Sequence, residues 1–170
     1  MGMGMNFVAV SEEQLKEIFE DNDLYYEARD EAERDDVFGL GGEFDAINFL
    51  TNKWFDKKDD GEEYDNTLSF NYLDIADFIH EINEAYLDVN GVKIITAKFK
   101  EFTVEEFRRR FNSTEFKVAL EGKDNEEKIY RGGEFGDESY FGELFDSFKR
   151  MSTFFINAEK RNRAILFYYV

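Results

Sequence analysis

Cysteine is absent from the 170 residues, which excludes disulfides, thiolate nucleophiles and zinc sites built on sulfur. Proline is absent as well, so no turn is fixed by a ring and no slow prolyl isomerisation is expected. No apolar run approaches the ~20 residues that a membrane-spanning helix needs. The opening Met1-Gly2-Met3-Gly4-Met5-Asn6 lacks the basic region and apolar core of a signal peptide. Asn6 also stands where N-myristoylation requires Ser or Thr. A cytoplasmic location is the simplest expectation. Positive charge is scarce too: 21 Lys and Arg face 39 Asp and Glu, a net charge of −18. Such a surface disfavours nucleic acid and anionic lipid, both of which need cations against phosphate, and attracts basic proteins. The ordinary alternative is that the charge serves solubility alone.

Aromatic residues are what the chain has in abundance. Twenty Phe in a chain that is 42% hydrophobic supply a core that no disordered segment carries, so the high charge does not argue against folding. At this length one domain is expected, spanning 1–170 and burying about two thirds of its unfolded surface. The richest stretch is Ser139 to Val170. Tyr140, Phe141, Leu144, Phe145, Phe148, Met151, Phe154, Phe155 and Ala158 share one stripe of a helix, with charged residues mostly elsewhere. Lys160, Arg161 and Arg163 crowd its C-terminal end, where cations offset the helix dipole. Ala164 to Tyr169 then reads as a strand buried on both faces.

Elsewhere the local signals are uneven. Phe7 to Val10 reads as a first strand. Ser11 and Gln14 form a capping box, with Val10 and Leu15 as the hydrophobic staple, for a helix starting at Glu12. Residues 24–36 are heavily charged and suit a short exposed helix or a loop. Gly39, Gly41 and Gly42 break the chain before a helix from about Glu43 to Phe55. Asp56 to Asn66 is almost entirely charged and is expected to be mobile. Tyr72, Ile75, Ile79, Ile82 and Tyr86 fit one face of a helix running to Leu87 and ended by Asn90-Gly91. Residues 92–100 suit a strand or further helix, with a slight lean to strand. Thr103 and Glu106 make a second capping box, stapled by Phe102 and Phe107, and residues 115–130 suit a hairpin arm or a helical turn.

Three stretches together resemble a known family: the Met-Gly-Met run into strand and Ser-capped helix, the segment Phe44 to Thr51, and the closing helix with Ala164-Ile165-Leu166-Phe167-Tyr168-Tyr169. They resemble the YfbM-like family of bacterial domains of unknown function, as do Tyr72-Leu73 and Ile129-Tyr130. The resemblance runs in order through nearly the whole chain and implies a mixed α+β fold. It implies no activity. The family usually carries a Trp or His in the stretch matched to Phe44 to Thr51, and Pro and Trp after the Ile-Tyr pair. Here other residues stand there, Arg131 among them, so any pocket those positions build is altered.

No constellation of catalytic residues stands out. Gly41-Gly42-Glu43-Phe44 and Gly132-Gly133-Glu134-Phe135 are one acid short of the diguanylate cyclase loop, and the upstream metal-binding carboxylates are missing. Residues 56–67 echo a calcium loop, but Lys58 and Thr67 occupy two ligand positions, so a solvated linker is the better account. His80 is the lone histidine, which excludes a paired-histidine metal site. With Asp77 and Glu84 three before and four after it on the expected helix, it is a general acid/base candidate, against the ordinary reading of a surface histidine. Arg108-Arg109-Arg110 is the concentrated basic patch before the C-terminal end. Without a glycine-rich cradle, it is expected to pair with neighbouring acids rather than to bind phosphate.

The sequence therefore predicts a single α+β domain with a small, mostly antiparallel sheet pairing the N- and C-terminal strands, covered by helices. Its expected role is non-enzymatic: an acidic interaction protein, immunity-like or regulatory, that meets a basic protein and needs no cofactor or metal. The alternative is a small hydrolase or ligand-binding protein with an aromatic-lined cleft. Trp54, Tyr72, His80, Tyr130 and Tyr140 are its candidate ligand-binding residues, several of them near glycine-rich turns.

Overall fold

The computed structural model of the protein describes residues 4–51, 75–79, 81–121, 129 and 135–170. Among them are five strands, β1 (Met5–Val10), β2 (Val37–Leu40), β3 (Asp77–Ile79), β4 (Glu84–Leu87) and β5 (Ala164–Tyr169). All strand pairs are antiparallel, in the order β2-β1-β5-β4-β3. The first and last strands lie side by side at the centre, with Phe7 opposite Phe167 and Val8 opposite Leu166. Seven helices are described: α1 (Glu12–Glu20), α2 (Asp23–Asp30), α3 (Phe44–Thr51), α4 (Val89–Glu101), α5 (Val104–Phe111), α6 (Thr114–Glu121) and α7 (Ser139–Lys160). The expected α+β fold with its N- and C-terminal strands paired is thus what the chain adopts.

The sheet is covered on both sides, which is why β1 and β5 are apolar at nearly every position. One face turns Phe7, Phe38, Leu87, Ile165 and Phe167 toward helices α3 to α7, in a core that also holds Phe99, Phe107, Phe116, Phe148 and Phe155. The other face turns Val8, Val10, Ala164 and Leu166 toward Leu15, Ile18 and Tyr25 of α1 and α2. Helix α1 starts as its sequence dictates, with Ser11 accepting from the amide of Gln14 and the Gln14 side chain accepting from that of Ser11. At α5 only the Thr103 arm of the expected box is made, because the Glu106 carboxylate receives Nε of Arg110 at 2.9 Å instead. The staple holds there: the rings of Phe102 and Phe107 lie 6.2 Å apart, edge to face.

Several expectations are corrected. The helix expected through Leu87 is, from Asp77 on, the hairpin β3–β4, with Ile79 opposite Glu84. Ile79 and Tyr86 share a face in a hairpin as they would in a helix, so their spacing did not discriminate. The turn signal is Asn83, whose φ of 54° is left-handed, a conformation asparagine tolerates. Asn90-Gly91 begins a helix rather than ending one: Asp88 caps α4 by accepting from the amide of Gly91 at 2.7 Å. A Cβ at Gly91 would lie 2.8 Å from the Leu87 side chain, so the glycine lets the helix start close against β4. Residues 92–100 are therefore helical rather than extended, and α6 settles residues 115–121 as helix. β2 was not anticipated, because Gly39 and its neighbours read as chain breakers. Here Gly39 pairs with Asn6, whose side chain lies where a Cβ would go.

Candidate functional site

The charge is unevenly distributed over the two sides of the sheet. Residues 11–36, which form α1, α2 and the 3₁₀ turn Arg34–Asp36, carry twelve acids against three bases, half of the net charge of −18. Residues 89–121 on the other side carry seven bases against five acids. The negative charge of the described residues is therefore concentrated on one layer of the molecule.

Within that layer lies a groove of about 390 Å³. Ile18, Leu24, Ala28 and Ala32 give it apolar walls, and Glu17, Glu27, Glu31, Glu33 and Asp36 line it with carboxylates. Leu24 and Ala28, one turn apart on α2, and Glu31, which caps its C-terminal end, fall on one side of the helix and give the groove its mixture of apolar wall and carboxylate. Glu17, Glu27, Glu31 and Glu33 form no ion pair among the described residues. Asp36 takes Arg161 at 2.6 Å.

The only base among the groove-lining residues is Arg163, whose Nη1 donates to Oε1 of Gln14 at 3.5 Å. Its position follows from the end of α7. Asn162 adopts φ of 50°, the amide of Arg163 donates to the carbonyl of Ala158 at 2.9 Å, and that of Asn162 to Glu159 at 3.0 Å. That is a Schellman ending with Asn in the left-handed place. The basic run read as a dipole partner for α7 thus sends two arginines onto the acidic layer. Asn162 between them was the available signal, and sequence reasoning passed over it.

Beside the groove, Tyr25 is fully buried and donates its hydroxyl to the carbonyl of Phe167 at 3.1 Å. Burial pushes this phenol well above its ordinary pKa, and the adjoining Glu84 carboxylate pushes it further. Burial also raises Glu84 above its ordinary value, opposed by the neighbouring Tyr25 hydroxyl and by Arg29. Arg29 lies between two rings, 5.2 Å from that of Tyr26 and 5.4 Å from that of Tyr168. This cluster ties α2 to β4 and β5.

Of the candidate ligand-binding residues, Trp54, Tyr72, His80 and Tyr130 lie outside the described residues, as does the acidic segment 56–66. Tyr140 is half-buried at the start of α7, its ring edge-on to Phe135 at 5.7 Å, and it does not line the groove described above. Asp77 and Glu84, expected on one helix around His80, sit instead on two paired strands. The arginine patch is absorbed by the protein. Arg108 binds Glu138 and covers the Phe141 ring, while the buried Arg110 reaches the Leu50 carbonyl at 3.0 Å and Glu106. Among the described residues no three acidic or histidine side chains are placed to hold a metal ion, and no helix is long and apolar enough to cross a membrane.

An antiparallel sheet with its two terminal strands at the centre, sheathed in helices, defines an α+β domain. The chain belongs to a family defined as a domain of unknown function, DUF1877, whose model matches residues 1–168. Its fold is similar to that of the protein of unknown function YfbM from Escherichia coli, with a TM-score of 0.65 at 11% identity over 99% of each chain. No curated protein matches it significantly.

Proposed function

We propose that the protein is an acidic interaction protein, immunity-like or regulatory, whose α1–α2 layer captures a basic protein partner. One observation carries the reading: four carboxylates without an ion-pair partner among the described residues line a single groove with apolar walls, on the layer that holds half of the net charge. Clustered like charge raises the local potential and draws a cationic surface in quickly, while the apolar walls accept the aliphatic stems of arginine and lysine. The ion pair of Arg161 with Asp36 is an intramolecular example of the same pairing.

The test is the binding of a nona-arginine peptide to the whole chain by titration calorimetry, at two salt concentrations. Affinity should fall with salt, and E17Q/E27Q/E31Q/E33Q should weaken it about tenfold or more. A control, E101Q/E105Q/E121Q/E143Q, removes the same charge elsewhere and should matter far less. Equal weakening by both sets would mean that only net charge is read, and the proposal would fail.

A further inference from the structure

We propose that β2 and the groove beside it form a second docking site, which takes an extended acidic segment of a partner protein as a sixth strand. The two edges of the sheet differ. At the β3 edge, the amide of Phe78 is already occupied by the Asp77 carboxylate at 2.9 Å, and the strand has only three residues. That is a protected edge. At the β2 edge, no side chain caps a strand amide among the described residues, and an open groove of about 580 Å³ runs between the strand and α7. An added strand would pair with the backbone of β2 and place alternate side chains over this groove.

Its lining selects the occupant. Phe38 and Phe154, stacked with centroids 5.9 Å apart, give it an apolar base. Arg34, Lys149 and Arg150 face Asp35 and Asp146, in a chain where acids outnumber bases nearly two to one. Lys149 is held by Asp146 at 2.7 Å. Arg34 and Arg150 have no carboxylate partner among the described residues, and the Arg150 guanidinium lies 5.6 Å from the Phe38 ring centroid. Two unneutralised guanidinium groups beside an apolar base fit a strand whose inward positions alternate carboxylate, aliphatic, carboxylate. A basic strand would be drawn to the α1–α2 layer instead.

The probe is the acetylated, amidated peptide Ser-Glu-Ser-Ile-Ser-Glu-Ser, titrated into the isotopically labelled full chain with amide shifts as readout. Shifts should concentrate at 37–40 and on the 146–157 face of α7, and R34E/R150E should weaken binding about tenfold or more. Both side chains are exposed, and R34Q/R150Q serves if charge reversal alters melting. N-methylation of the peptide in one of its two alternate registers should abolish binding, which separates strand pairing from a loose charge contact. Equal binding of the lysine version, no effect of the arginine variants, or tolerance of N-methylation in both registers would overturn the proposal. So would concentration-dependent dimerisation that buries β2, since a second copy would then be the occupant.

Discussion

On one side of the sheet Phe7 meets Phe38, Phe154, Phe155 and Phe167, all with ring centroids within 6.5 Å. On the other side Val8, the next residue of the same strand, belongs to a small cluster of aliphatic side chains around Tyr25. The aromatic side is thick, built from five helices and close to electrically neutral. The aliphatic side is thin, built from α1 and α2, and carries half the net charge. The contrast assigns different work to the two layers. Buried aromatic area supplies cohesion, at roughly 25 cal/mol per Å² removed from water. A layer that contributes less to cohesion is free to concentrate like charges at some cost in self-repulsion.

The largest effect should come from joining or separating the layers altogether. Deleting residues 164–170 removes β5, the strand between β1 and β4, and splits the sheet into the separate pairs β1–β2 and β3–β4. Calorimetry should then show no cooperative unfolding, and a sharp transition at an unchanged midpoint would show that β5 is not the centre of the core.

Next comes the direct comparison along β1. Phe7→Ala should lower stability by about 3–5 kcal/mol through the cavity it leaves among four other rings. Val8→Ala, equally buried, should cost about 2 kcal/mol. Denaturant midpoints measure both. Equal losses would erase the proposed difference between the layers.

A smaller effect sharpens the view of the charged layer. Arg163→Gln empties the groove of its own cation, so nona-arginine should bind about two- to fivefold more tightly. Lys160→Gln makes the same change in net charge and serves as the control, because Lys160 does not line the groove. Matching affinities for the two variants would remove Arg163 from the account.

The smallest is a pH effect at the junction with β4. Burial raises Glu84 in the folded chain, so the native state holds that proton more tightly than the unfolded state does. Its contribution to stability is therefore complete in acid, below the unfolded glutamate value. It is lost as pH rises through the raised folded value. Glu84→Gln should flatten this decline, giving a higher Tm than wild type above the window and a vanishing difference below it. A wild-type-like slope in the variant would mean that Glu84 is not the group responsible.

Much of the frame was legible in the residues. Ser11 and Gln14 announce α1, the stripe from Tyr140 to Ala158 announces α7, and the doubly apolar run after Arg163 announces a central strand. The candidate site was less legible. Residues 24–36 read as a charged stretch suited to a short exposed helix or a loop, with no sign of a site, because bringing Glu17 beside Glu27, Glu31 and Glu33 around one groove requires α1 and α2 to be folded back on each other. The β3–β4 hairpin was hidden by a spacing shared with a helix, and resolved only by Asn83. Arg108 to Arg110 were expected to pair with neighbouring acids, and Arg108 and Arg110 do so with Glu138 and Glu106, but their contacts with the Phe141 ring and the Leu50 carbonyl had no signal in the sequence.

Caps, stripes and turn residues act over a few positions, so the order of α1, α7 and β5 was written into neighbouring residues. Which carboxylates would find an arginine and which would be left unpaired depended on contacts between residues more than a hundred positions apart, such as Asp36 with Arg161. The composition set how much negative charge the molecule carries. Stacking α1 and α2 on one face of the sheet, and the phenylalanine-rich helices on the other, set where that charge is concentrated. The reason is physical: apolar burial is insensitive to distance along the chain, while the strength of a charge depends on what folding places beside it.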